Sequence, residues 1–248
     1  MRALKFLAAL IIIALIGLGG MVLFAEKKPS EDITRAGAGE ALVIPDDTEE
    51  TPAADPAAPE EADPAGDTAD PAEPEPAPEP VVATNKYLIT PNDDSIIMWT
   101  GYKPVGPREG GFANFSGTVT VKGDDLETTK VNVTIDINSL FSDSKILTDY
   151  IKQPGFFDIE KWTEASFQSA SVKKNGDTYD VTGNFTMCGT TKALTFPANI
   201  ELRDDGLWAD AEFVIDRFDW GMDASGYQDS IVNKEVRIYF EVLAEPEA

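Results

Sequence analysis

Between residues 86 and 248, apolar side chains recur at every second position in stretch after stretch, and this period of two constrains the fold more than any other feature. Val131, Val133, Ile135 and Ile137 alternate with Asn132, Thr134, Asp136 and Asn138. Leu194, Phe196, Ala198, Ile200 and Leu202 form a second stripe. Leu207, Ala209, Ala211, Phe213 and Ile215 form a third, and Val236, Ile238, Phe240 and Val242 a fourth. Successive side chains of a β-strand point to opposite faces, so each stripe is one apolar face of a strand. Further strands are expected at residues 86–90, 95–103, 112–122, 163–173 and 178–187, divided by turn sequences such as Asn175-Gly176-Asp177 and Asp204-Asp205-Gly206. About eight or nine such strands bury their apolar faces in a sandwich or a closed barrel. An eight-strand barrel has an interior just wide enough to be filled by side chains or to hold one slender ligand. Small residues in the stripes (Gly117, Gly183, Ala198, Ala209, Ala211) leave room inside, while the neighbouring phenylalanines are large enough to fill it. The stripes alone leave both outcomes open.

One segment breaks the alternation. Residues 146–162, ILTDYIKQPGFFDIEKW, place Ile146, Leu147, Tyr150 and Ile151 at helical spacing. Ser142 or Asp143 is positioned to cap the start, and Pro154-Gly155 to end the helix. Phe156-Phe157 then present a large aromatic surface that needs cover. A lone amphipathic helix on a β-domain packs on the sheet or plugs a barrel mouth.

Composition divides the chain into three parts, residues 1–25, 26–85 and 86–248. Residues 6–24 are nineteen residues without a charge. At about 1.5 Å per residue they span roughly 28 Å, close to a bilayer's hydrocarbon thickness. Arg2 and Lys5 precede them, which orients that side to the cytoplasm. Leu23-Phe24-Ala25 makes a poor cleavage site, so an uncleaved signal-anchor helix is expected over 1–25, with secretion the outcome if the segment is cut. Residues 26–85 carry seventeen acids against three bases, and 45–82 are almost entirely Pro, Ala, Glu and Asp. Such a tract has too little apolar surface to offset the entropy of ordering and is expected to be a disordered, extended linker. Every Trp, every Tyr and all but two Phe follow residue 86, so only 86–248 builds a core.

The same composition excludes several functions. A formal charge of -24 repels phosphate backbones, which makes nucleic acid an unsuitable partner. The chain has no histidine and one cysteine, Cys188, so neither a Ser-His-Asp triad nor an intrachain disulfide can be built. Asp124-Asp125 and Asp204-Asp205 sit beside glycines between strands and read as turns rather than as metal ligands. Asp216-Arg217 reads as an ion pair at a strand end. Asn114, Asn132 and Asn184 begin glycosylation-type triplets, a pattern common by chance. No catalytic residue, metal site or cofactor is expected, and the domain reads as a binding module rather than an enzyme.

Three blocks carry a family resemblance. WTGYKPVGPREGGFANFSG (99–117), LTDYIKQPGFFDIEKWTEASFQS (147–169) and VTGNFTMCGTTK (181–192) resemble, in order, segments of the YceI-like family of lipocalin-like polyisoprenoid-binding proteins. FVIDRFDWGM (213–222) and the closing EVRIYFEVLA strand fit the same pattern. The resemblance implies an all-β fold, an antiparallel lipocalin-like barrel with one or two short helices, enclosing a long apolar cavity. It implies an isoprenoid-type lipid as ligand, such as a prenyl quinone or another amphiphile, carried or sequestered in the bacterial periplasm. With the anchor, the expected location is the inner membrane, crossed once, with the barrel on the periplasmic side. The alternative is a non-catalytic envelope interaction or stress-response module with a filled barrel. Trp99, Arg108, Phe112, Phe115, Phe156, Phe157, Phe185 and Phe213 are the candidate cavity and mouth residues. The chain departs from the family at two positions, with Arg108 and Cys188 standing where members often carry histidine.

Overall fold

The alternating stripes become the staves of an up-and-down barrel. The computed structural model describes residues 33–44, 82–92, 94–103, 106–223 and 233–247. Its strands are β1 (Thr84–Ile89), β2 (Ile96–Lys103), β3 (Gly106–Phe112), β4 (Phe115–Lys122), β5 (Asp125–Asp136), β6 (Leu140–Ser142), β7 (Glu164–Asn175), β8 (Thr178–Met187), β9 (Thr190–Arg203), β10 (Gly206–Asp216) and β11 (Glu235–Pro246). One helix, α1 (Lys145–Ile151), follows β6. Eight strands form a closed antiparallel ring in the order β1-β4-β5-β7-β8-β9-β10-β11, shut by β11 pairing with β1 at Ile89↔Ala244 and Tyr87↔Pro246. The other half of β11 pairs with β2, which pairs with β3, which pairs with β6. Thus β1–β2, β3–β4 and β5–β6 are three long staves, each broken once.

The breaks explain where the strand boundaries differ from those expected. The run 112–122 is interrupted at Ala113-Asn114, whose N–H groups bond to Ser139 rather than to a ladder. A strand not foreseen from alternation, β3, precedes it, because glycines at 106, 110 and 111 hide the period. At the end of β5, Asp136 accepts from the Asn138 N–H and turns the chain through a 3-10 turn at Ile137–Ser139 before β6. The short helix expected before Pro154-Gly155 is the seven residues of α1. Neither Ser142 nor Asp143 is its N-cap; Ser144 is, without a side-chain capping bond. The Ser142 hydroxyl instead bonds with Thr148 at 2.8 Å, and Asp143 pairs with Arg108. Ile146 is 84% exposed, so it is not part of the helix's buried face.

Of the chain's amino-terminal parts, one lies outside the described residues and one stretch differs from expectation. Residues 1–25 lie outside the described residues, and among the described residues no helix is long and apolar enough to cross a membrane. Residues 33–44, expected within the disordered linker, lie along the barrel wall. Ala36 donates to the Val214 carbonyl at 2.9 Å, and Gly39 exchanges backbone hydrogen bonds with Ala193. Ala36 is 3% exposed and joins the core, because its small side chain fits where two strands part.

The barrel's two ends are unlike. The β4–β5, β7–β8 and β9–β10 turns gather at one end, where Val121, Val172, Val181, Leu207 and Ala244 pack tightly. The other end, here called the mouth, carries α1, the β8–β9 turn and the connection from β10 to β11.

Inward glycines set the wall's inner profile, Gly183 among them. Gly183 faces Ser169 across β7–β8, and the Phe167 ring lies over it. A Cβ at Gly183 would stand 2.3 Å from the Gln168 carbonyl oxygen and 2.6 Å from the Phe167 ring. Backbone cannot yield as a flexible side chain does, so Gly183→Ala is expected to cost about 2–3 kcal/mol by urea denaturation. A change under about 0.5 kcal/mol would show that the ring does not rest there.

Candidate functional site

The inward stripes enclose one cavity of about 250 Å³. Its lining runs down β11 from Val236 at the mouth to Ala244 near the closed end. Eight residues cover about 26 Å along a strand, and on the order of 20 Å along the axis at the usual barrel tilt. So small a volume over that length describes a slender channel, suited to a chain rather than to a fused ring. Its volume is near the lower end for ligand pockets, roughly 300 Å³.

The channel stays open because its aromatic rings lie against the wall or against one another. Trp99 of β2 rests on Gly110 of β3, its cross-strand partner, where a Cβ would meet the ring at 2.3 Å. Phe196, Phe213 and Phe240 meet at mid-height, Phe196 stacking on Phe213 at 4.5 Å and meeting Phe240 edge-on at 5.9 Å. Phe167 leans on Phe196 at 5.6 Å. Phe185 packs edge-on against Trp220 at 5.4 Å, and the Trp220 indole N–H donates to the Phe185 carbonyl. Small residues (Gly101, Ala165, Ala198, Ala209) face these rings and leave the remaining space. Phenylalanines therefore narrow the interior without filling it.

The mouth is built from α1 and the loop behind it. Leu147, Tyr150 and Ile151 line the channel from the helix. Phe156 and Phe157 follow, Phe156 against Tyr150 at 5.2 Å and Phe157 edge-on to Phe112 at 5.8 Å. The β8–β9 turn pins this loop. Its Cys188 and Gly189 both have positive φ (50° and 71°), the geometry of a tight two-residue hairpin. The Cys188 thiol is directed at the Phe156 carbonyl at 3.5 Å, and Gly189 lies under the Trp162 ring.

Three cations stand among the mouth residues: Lys103, Arg108 and Arg217. Arg108 is half-exposed and meets Asp143 at 3.4 Å. Arg217 does not pair with Asp216 as the sequence suggested. Asp216 binds Lys234 and caps the 3-10 turn at Arg217–Trp220, while the Arg217 side chain turns inward, 3% exposed. There its guanidinium bonds to the Met222 carbonyl and stands 5.5 Å from the Phe156 ring. The indole N–H of Trp99 is buried on the wall without an acceptor among the described residues.

All eight candidate residues face this space. Trp99, Arg108, Phe112, Phe156 and Phe157 are toward the mouth, Phe115 and Phe185 on opposite walls, and Phe213 at mid-height. The sequence reading did not select Phe167, Phe196, Phe240 or Arg217. Phe196 and Phe240 stand on stripes the alternation identifies as inward, so strand parity alone marks them. Nothing local marks Arg217, whose side chain turns inward from the 3-10 turn. Among the described residues no cluster of Cys, Asp or Glu is arranged to hold a metal ion.

Comparisons with known proteins agree with this architecture. The Burkholderia cenocepacia protein BcnA superposes with a TM-score of 0.57 at 26% identity, covering 60% of this chain and 96% of that one. A polyisoprenoid binding domain from Saccharophagus degradans, implicated in plant cell wall breakdown, shares the fold at TM-score 0.53 and 13% identity, over 65% of this chain and 99% of that one. Protein YceI of Salmonella arizonae is 37% identical over 99 residues, 40% of this chain and 52% of that protein, so the chain spans about half the length of the curated relatives it matches. The family description "YceI-like domain" matches residues 87–244, nearly the whole barrel, and the chain belongs to the YceI-like domain family.

Proposed function

We propose that this protein binds an isoprenoid-type amphiphile, such as a prenyl quinone, in its barrel and carries or sequesters it in the bacterial envelope while tethered to the inner membrane. The observation that carries this reading is a slender, almost wholly apolar channel that ends among cations. An apolar chain gains about 0.8 kcal/mol for each CH₂ removed from water, so such a channel needs no reactive group to hold its guest. The polar head then lies at the mouth, where Arg108, Lys103 and the Trp99 N–H are suited to meet oxygen acceptors. The description of the Saccharophagus degradans relative as polyisoprenoid binding supports the choice of guest. Ile146, exposed on the helix that lines the mouth, suits contact with a lipid surface. The charge-free run at residues 6–24 supports the tether. A protein-interaction module with a solid barrel is the competing reading, and the open channel weighs against it.

Cys188, the chain's one thiol, is not poised for covalent chemistry. Burial pushes the Cys188 thiol from its ordinary value near 9 up to about 11, with the neighbouring Asp158 carboxylate adding to the shift. The thiolate is the reactive form, and it is scarce until the pH approaches that value. Alkylation of Cys188 by iodoacetamide at pH 8 is expected to be about 100-fold slower in the folded protein than in urea, from a two-unit shift. Equal rates would mean that burial does not raise the thiol's pKa.

The ligand reading is tested by native mass spectrometry of the full-length chain extracted in mild detergent. A retained lipid, or uptake of added prenyl quinone, is expected. A chain that emerges empty and takes up none overturns the proposal. Ala209→Phe places a ring in the channel and is expected to lower retained quinone by about tenfold while the barrel still unfolds cooperatively. Unchanged retention would place the lipid elsewhere.

A further inference from the structure

The barrel has a seam. β9 and β10 pair only near the closed end, from Gly206↔Arg203 to Asp210↔Asn199. Toward the mouth they part, leaving residues 190–198 and 211–216 unpaired with each other. Pro197 supplies a cause. Ala193 directs its N–H away from β8, so by alternation residue 197 would direct its own toward β10, and proline has none. The ladder stops two residues before it would need that donor. Behind the seam stand Leu194, Phe196, Phe213 and Ile215, all on the channel wall.

Residues 33–44 occupy the seam. Ala36 donates to the Val214 carbonyl and Val214 donates to the Thr34 carbonyl, on the β10 side. Gly39 and Ala193 exchange two bonds on the β9 side. The Asn184 amide clasps Leu42, accepting from its N–H and donating to its carbonyl, each at 2.8 Å. Arg35 pairs with Glu235. The segment thus completes the wall as an added short strand, yet its side chains grip little. Ala36-Gly37-Ala38-Gly39 have small or absent side chains, two glycines raise the entropy lost on docking, and Val43 is 98% exposed.

We infer that residues 33–44 are a removable stave that gates lateral passage of the lipid into and out of the barrel. This rests on the carrier reading above and adds the route. With the stave seated, the channel communicates through the mouth alone; with it displaced, the mouth extends down the side as a slot lined by Phe196 and Phe213. The stave begins nine residues after the charge-free run ends, at most about 32 Å of chain, so the seated stave keeps the slot within that reach of whatever holds that run. A lateral slot suits an amphiphile whose tail must leave a bilayer without crossing water.

A disulfide tests the gate. A Cβ built at Gly39 lies 3.6 Å from the Ala193 Cβ, a separation that a disulfide spans. The full-length chain carrying Gly39→Cys and Ala193→Cys, with Cys188→Ser, is loaded reduced with a prenyl quinone, then oxidised and mixed with excess phosphatidylcholine vesicles. The disulfide is expected to form and to slow quinone loss about tenfold or more, the effect of about 1.4 kcal/mol on the opening step, with dithiothreitol restoring the rate. Asn184→Ala removes both bonds to Leu42 and is expected to accelerate loss about tenfold. Equal loss in the oxidised and reduced forms, failure of the disulfide to form, or no effect of Asn184→Ala overturns the gate. Loading is read first in the reduced protein, and failure there overturns the carrier reading itself, so the two failures are told apart.

Discussion

An open channel in a barrel this small depends on where the large rings can lie. Eight staves leave an interior that ordinary aromatic side chains would close. Here Trp99 lies flat on Gly110 and Phe167 on Gly183, each ring using the space that a neighbouring strand's missing side chain provides. Phe196 stacks on Phe213 rather than spanning the interior. The channel, its length and its apolar lining all follow from that arrangement, because removing one Cβ on a strand lets the ring beside it fold against the wall.

The mouth uses the same economy with different chemistry. The breaks in the three staves, at residues 90–95, 113–114 and 137–139, step across the wall between the closed end and the mouth. At the mouth itself, the connection from β6 to β7 carries α1 and the Phe156-Phe157 loop, held by edge-on ring contacts to Tyr150 and Phe112 and by the Cys188 hairpin beneath. Against an overall charge of -24, the cations here are local exceptions. Arg217 turns inward to the Met222 carbonyl, while Lys234 and the Phe218 N–H engage Asp216.

The seam shows how a barrel can be closed by chain from outside the domain. Pro197 ends one ladder, and a glycine- and alanine-rich segment from ahead of the acidic tract supplies the missing backbone partners. The contribution is mostly main-chain, as in β-augmentation by a peptide. Composition hides such a segment, since it lacks the bulky alternating residues by which strands are recognised.

Most of the barrel was legible in the amino-acid order. Alternation is a local property, so the stripes at 131–137, 194–202, 207–215 and 236–242 identified strands and their inward faces, and the residues chosen from them and from the family blocks do face the channel. Glycine-masked β3 and the ordered 33–44 segment were not legible, because each is decided by what lies opposite it in space. The sequence by itself determined a β-domain of about eight or nine strands with oily inner faces and small inward residues. Whether those faces enclosed space or packed solid was a tertiary decision, since it turns on which ring meets which glycine across strands distant in the chain.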